Sequence, residues 1–235
     1  MAGELLPLTE QGFRAFKIGW GPFGRHDAAM DEAIVRAARE AIGLDCLLMV
    51  DAGASDAFWP RDYKWAVRTA EMLANYDVAW FEEPLPPDAL DEYVALRRQS
   101  RVPIAGGEVL TRRQSFQPWL RAGAFDIVQP DATKVGGLSE SRRIAWMAEE
   151  NGARMVPHGW NTAVGLAADL QLVSAFPKID LVEYLTGSPF IDEIVKHRWR
   201  IDEEGMLTIP ERPGLGITID LEALKEFTGL KSFLD

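Results

Sequence analysis

Seven short apolar runs, each followed by a polar loop and a segment of helical period, constrain this chain more than any other feature of its sequence. They occupy residues 13–18, 46–50, 78–81, 102–105, 125–128, 153–156 and 179–182. Each is brief, bounded by Gly, Pro or charge, and apolar at nearly consecutive positions. A parallel strand covered on both faces reads in this way, whereas a half-solvated antiparallel strand would alternate. The intervening segments carry helix punctuation. Asp27 precedes Met30, Ile34, Val35, Ala38 and Ile42, a helical period that Gly43 ends. Asp62 opens a stripe of Trp65, Thr69, Met72 and Leu73, and Thr111 opens another helix. Ser139 is expected to cap a helix carrying Ile144 and Met147 that stops at Gly152.

Strand followed by helix, repeated without a linker, means a parallel sheet. Seven repeats suit a closed barrel better than an open doubly wound sheet, and no G-x-G-x-x-G opens the first helix. After about residue 198 the rhythm stops. Residues 1–198 are therefore read as a barrel domain, and 199–235 as an extension of strand, turn and short helix.

Composition narrows the function. Twenty-five Lys+Arg against 36 Asp+Glu leave a net charge of −11, which argues against nucleic acid and anionic membrane as partners. No stretch approaches 18 consecutive apolar residues, so no membrane span is expected. The single cysteine, Cys46, excludes a disulfide framework and fits a reducing compartment. Met1-Ala2-Gly3-Glu4 shows no basic-then-apolar leader, and the expectation is a cytoplasmic protein.

The residues that close the runs carry the chemistry. They are Lys17, Asp51, Glu82 (followed by Glu83), Glu108, Asp131, His158 and Glu183, and in a βα barrel the carboxyl ends of the strands form the active site. Charges gathered at one mouth repel each other and lose hydration, a cost that packing alone does not require. Asp51, Glu82 and Glu108, from three consecutive strands, match the oxygen ligation that a hard cation such as Mg²⁺ demands. Asp131 on one strand and His158 on the next suit a carboxylate-oriented imidazole acting as general base. Together with Lys17 the set describes removal of a proton next to a carboxylate, the negative charge being stabilised by cation and Lys17. Lys134 and Glu83 are read as structural, and the tryptophans at helical spacing as packing.

The stretches Gly12-Phe13-Arg14-Ala15-Phe16-Lys17, Val50-Asp51-Ala52, Trp80-Phe81-Glu82-Glu83-Pro84, Gly107-Glu108, Gln129-Pro130-Asp131, Pro157-His158-Gly159-Trp160 and Glu183 resemble the enolase superfamily, in particular its mandelate racemase subgroup. The resemblance implies a TIM-type (β/α)7β barrel, here lacking the capping domain and the first barrel strand. It also implies Asp51, Glu82 and Glu108 as Mg²⁺ ligands and Asp131 with His158 as the catalytic dyad. Glu183 becomes a hydrogen-bonding group near the substrate carboxylate. Many enzymes of this His/Asp type are dehydratases of acid sugars, so the implied partner is a small sugar acid.

Two departures refine this picture. The second lysine of the family's K-x-K is replaced by Gly19, which removes the opposing base that racemisation needs. Where relatives often carry an Asn two residues after the Asp, Gly53 stands, and contact with a substrate hydroxyl falls to Trp20, His26 or Asn161. The expected reaction is Mg²⁺-dependent dehydration. A racemase or epimerase, and a catalytically silent barrel of the same family, are the alternatives. A barrel short of one strand exposes a sheet edge, so a homo-oligomer is also expected.

Overall fold

A computed structural model describes residues 2–53 and 62–228. Helix α1 (Ala2–Glu10) leads into strand β1 (Ala15–Gly19), and α2 (Ala28–Ile42) into β2 (Leu47–Asp51). Helix α3 (Tyr63–Leu73) precedes β3 (Val78–Glu82), and α4 (Leu90–Gln99) precedes β4 (Ile104–Gly106). Helix α5 (Arg112–Ala122) is followed by β5 (Ile127–Val128), the short α6 (Ala132–Val135), α7 (Leu138–Glu150) and β6 (Arg154–Met155). Helices α8 (Ala163–Ser174), α9 (Pro189–Asp192) and α10 (Leu221–Thr228) complete the order.

The six strands form one parallel sheet in the order β1-β2-β3-β4-β5-β6, the open form of a βα barrel. Period-two alternation divides each strand between two layers. Ala15, Met49, Trp80, Ala105, Ile127 and Val156 face the interior. Phe16, Ile18, Leu48, Val50, Phe81, Ile104, Val128 and Met155 face the helices, where they join Val35, Ala38, Leu73, Leu96, Phe116 and Ile144. Both faces are buried, which is why the runs read as continuously apolar. One step of two beyond the interior layer lie Lys17, Asp51, Glu82 and His158. The same alternation that buries the core therefore points the ionisable residues into the mouth.

The helix starts follow their expected punctuation with one exception. Asp27 accepts from Met30 N–H and Gly43 closes α2. Asp62 accepts from Lys64 N–H at the start of α3, and Thr111 precedes α5 without a side-chain cap bond. Helix α7, however, is capped by Gly137 and not by Ser139, which falls inside its first turn. Gly136 and Gly137, at φ 112° and 84°, turn the chain so that Leu138 is already helical.

The seventh run is also corrected. Residues 179–182 lie beside β6, where Asp180 ion-pairs with Arg154 and Leu181 joins the interior layer, but they form no strand ladder. Between this segment and β1 the wall is open, and a cavity of about 1530 Å³ reaches inward past Met49, Trp80 and Val156. Beyond residue 198, Ile201 bridges Leu207 and Val195 bridges Ile219, while Trp199, Leu207 and Ile209 pack on Leu166 and Leu170 of α8.

Gly19 sets the register that the site depends on. It pairs with Asp51, its φ is 140°, and a Cβ there would lie 1.8 Å from the Asp51 carbonyl oxygen. Replacing Gly19 with Ala would force β1 and β2 apart, at a cost of about 3 kcal/mol or more. Chemical denaturation of Gly19→Ala is expected to show that loss; an unchanged midpoint would contradict the close approach.

Candidate active site

The parallel register brings the carboxylates together. Asp51 pairs with Gly19 on one side and with Glu82 on the other. Ligand oxygens of Asp51, Glu82 and Glu108 all lie within 4.8 Å of one another, a separation at which a single cation can be shared. Two of the three carboxylates are also held from behind. Gly53 N–H donates to Asp51 Oδ1 at 2.9 Å, and Trp80 Nε1–H donates to Glu82 Oε2 at 2.9 Å. Asp51 Oδ2 is buried with no hydrogen-bond partner, an orphan oxygen in the middle of the cluster.

Lys17 stands across this cluster. Its Nζ lies 2.7 Å from Glu82 Oε1 and 3.4 Å from Asp51 Oδ2, and it is ion-paired with Glu183. Burial alone would lower the Lys17 pKa, yet Glu183, Glu82 and Asp51 together raise it well above the usual value. Lys17 is thus a fixed positive charge. Asp51 moves the other way for a carboxylate: burial first, then the neighbouring charge of Glu82, push its pKa well up. Burial acts upward on Glu82 too, but Lys17 and the bonds from Lys17, Gln129 and Trp80 bring it below its ordinary value.

The dyad forms the other wall. His158 Nδ1 meets Asp131 Oδ2 at 2.9 Å, and Asp131 Oδ1 accepts from Thr133 N–H at 2.7 Å and Thr133 Oγ1–H at 2.6 Å. His158 Nε2 meets Glu108 Oε2 at 2.9 Å, so the ring is clasped by two carboxylates. Burial works against the imidazolium, but the bonds to Asp131 and Glu108 outweigh it and raise the His158 pKa to about 10. Glu183 Oε2 accepts from Gly159 N–H at 2.5 Å, next to His158 in sequence.

All seven run-closing residues therefore meet at one mouth. The substrate-contact expectations fare unevenly. Trp20 belongs to the site: its ring lies 5.5 Å from Lys17 Nζ and edge-on to Trp160 at 5.0 Å. His26 is exposed on the loop before α2, and no contact among the described residues joins it to the cluster. Asn161 points away, its amide packed against Gly165 in α8. Three members were missed. Lys134 lies 3.6 Å from Glu108 and 3.7 Å from Asp131, although its sequence position suggested only structure. Trp160 is half exposed beside Trp20. Trp80 holds Glu82, and its signal was available: it precedes Glu82 by two and so shares its face.

Five carboxyl groups (Asp51, Glu82, Glu108, Asp131 and Glu183) confront Lys17, Lys134 and the His158 imidazolium, so acidic groups outnumber basic ones. That imbalance, the all-oxygen donor set and the orphan Asp51 oxygen fit a hard divalent cation.

Comparison with known proteins shows the family to which the chain is similar. The family model described as "Enolase C-terminal domain-like" matches residues 1–224. The D-galactarolactone cycloisomerase of Agrobacterium fabrum is 37% identical, over 96% of this chain and 60% of its own length. The arabinonate dehydratase of Saccharolobus solfataricus is 33% identical, over 93% of this chain and 56% of its own. Among solved structures, the 3,6-anhydro-D-galactonate cycloisomerase of Zobellia galactanivorans superposes with a TM-score of 0.85 at 33% identity, covering 96% of this chain and 62% of that one. The chain spans little more than half the length of these relatives.

The chain has three histidines, so the titration of His158 is readily resolved by NMR. In chelator-treated protein the His158 ring is expected to stay protonated at pH 8, given its raised pKa of about 10. The interaction stabilises the fold fully below about pH 6.5 and is lost as pH rises through 10. A His158 midpoint near 6.5 would show that Asp131 and Glu108 do not clasp the ring.

Proposed function

The chain belongs to the enolase C-terminal domain-like family, and from that premise we propose that it forms the catalytic barrel of a Mg²⁺-dependent acid-sugar dehydratase. The observation that carries the reading is the meeting of the Asp51, Glu82 and Glu108 oxygens beside the Asp131–His158 pair. Residues 1–198 are assigned to the barrel and 199–235 to an extension packed on it, with the open β1 edge covered in a homo-oligomer.

Asp51, Glu82 and Glu108 are the proposed ligands of Mg²⁺, which when bound supplies positive charge against the carboxylate of a sugar acid as its α-proton leaves. His158 is the proposed base. Glu108 serving as a ligand no longer reserves Nε2, and the ring then keeps the orientation that Asp131 gives it through Nδ1. Lys17, charged at all relevant pH values, stabilises the ene-diolate from the other side, and Glu183, held by Gly159 N–H, bonds the substrate carboxylate. The proton taken by His158 passes to the departing β-hydroxyl, which leaves as water. The product is a 2-keto-3-deoxy acid. Trp20 and Trp160 form the aromatic wall along which the substrate lies.

A racemase needs a second base opposite His158. Gly19 leaves no room for a side chain against the Asp51 carbonyl, and Lys17 is held charged, so neither position supplies one. The cycloisomerase relatives support a second reading, in which the same proton abstraction leads to rearrangement within the substrate and no water departs.

Product mass separates the two, because dehydration lightens the substrate by one water and isomerisation leaves it unchanged. His158→Asn is expected to abolish exchange of the α-proton with D₂O; exchange at the parental rate would remove the base assignment. Asp51→Asn should weaken Mg²⁺ binding at least about tenfold by calorimetry, and an unaltered affinity would place the cation elsewhere. Solvent deuterium in recovered, inverted substrate would favour an epimerase. No turnover with any of a library of sugar acids would support the silent barrel.

A further inference from the structure

Behind the mouth lies a polar cluster that the proposed reaction does not use. Asp169, on α8, is 2% exposed. Its Oδ1 is buried without a hydrogen-bond partner, and so are both amide atoms of Asn161. Gly165 lies one helical turn before Asp169 and on the same face. A Cβ at Gly165 would sit 2.3 Å from Asn161 Cγ and Oδ1, so the missing side chain is what lets Asn161 lie flat on the helix toward Asp169. Asn161 belongs to the turn between His158 and Thr162, the N-cap of α8. Its own N–H closes that turn on Gly159 C=O at 3.1 Å.

An ionised carboxylate in this position would be desolvated and close to Asp131 and Glu183, and the His158 charge and the Asn161 amide that favour it are outweighed. The groups acting on Asp169 are Asp131 ahead of α6, Glu183 on the segment beside β6, His158 and Asn161. Helices α6, α7 and α9 pack on α8, and the charges acting most strongly on Asp169 are those of Asp131, Glu183 and His158. A protonated carboxyl instead has one O–H to donate and one oxygen to accept, which matches the carbonyl and the NH₂ of one amide.

We propose that Asp169 is a positioning residue: as a neutral acid it bonds the Asn161 amide across Gly165 and so fixes the His158–Trp160 turn to α8. Burial, followed by the charges of Asp131 and Glu183, raises the Asp169 pKa to about 8, in keeping with a proton retained at neutrality. The catalytic value of the turn rests on the function proposed above; the placement of the turn does not.

The test uses the full chain without substrate or cation, so a failure of the dehydratase reading leaves its result intact. Asp169→Asn keeps the shape and removes the charge. In the native chain the unfolded carboxyl ionises above about pH 4 while the folded one holds its proton to about pH 8. Stability conferred by the neutral acid is therefore present below pH 4 and lost as pH rises toward 8. Asp169→Asn is expected to melt higher than the native chain at pH 8.5, by about 5 °C or more, and equally near pH 4. The Trp160 indole resonance, identified by its loss in Trp160→Phe, is expected to shift between about pH 7 and 9 in the native chain and not in Asp169→Asn. At pH 6 Asp169→Ala should displace that resonance while Asp169→Asn leaves it in place. A melting difference that ignores pH, or a Trp160 titration unchanged in Asp169→Asn, would overturn the proposal.

Discussion

The repulsion among carboxylates gathered at the strand ends is the constraint on which the rest of the site depends. Asp51, Glu82 and Glu108 approach closely enough to share one ion, and each is buried or half-buried. Water cannot screen them, so the protein must supply positive charge or accept protonation. Lys17 answers for Asp51, Glu82 and Glu183; His158 and Lys134 answer for Glu108 and Asp131. The residual excess of negative charge is what makes a divalent cation a natural occupant, and it is why neighbouring groups move in opposite directions. Asp51 is pushed up by burial first and then by its mostly anionic neighbours, whereas Glu82, though burial acts upward on it too, is brought down by Lys17 and by the Gln129 and Trp80 donors.

The scaffold delivers this arrangement through the alternation of a parallel strand. Met49 and Asp51 share a face, as do Trp80 and Glu82, so the apolar floor of the interior and the charged mouth are consecutive layers of one pattern. Trp80 belongs to both: its ring packs the floor and its N–H holds Glu82. The open wall between β1 and residues 179–185 bears on the same layers, since the cavity there reaches both the floor and Lys17. Lys17 is nonetheless only 11% exposed, being covered by the carboxylates it neutralises. A second support lies outside the barrel interior, where α8 receives the turn carrying His158 and Trp160.

Much of the site was legible because strand-end position and side-chain type are both local facts. Asp51, Glu82, Asp131 and His158 each close an apolar run, and knowing only that the sheet is parallel brings them to one mouth. The family resemblance then implied the roles proposed for them. What escaped were choices of partner. Nothing local to Glu108 says that one oxygen meets His158 while the other faces Lys134, and nothing local to Asn161 says that its amide turns toward α8. The run at 179–182 has the composition of a strand but lacks a ladder, because pairing depends on where the neighbouring backbone runs.

By itself the sequence determined the parallel βα architecture, the helix starts at Asp27, Asp62 and Thr111, and the residues that crown the strands, since hydrophobic period and turn chemistry act over a few neighbouring positions. Tertiary structure alone decided the charge state and partner of each crown residue, the packing of Asn161 against α8 and the unpaired seventh run. Those outcomes depend on ångström-scale distances between segments far apart in the chain. Coulomb energies and hydrogen bonds change steeply over such distances.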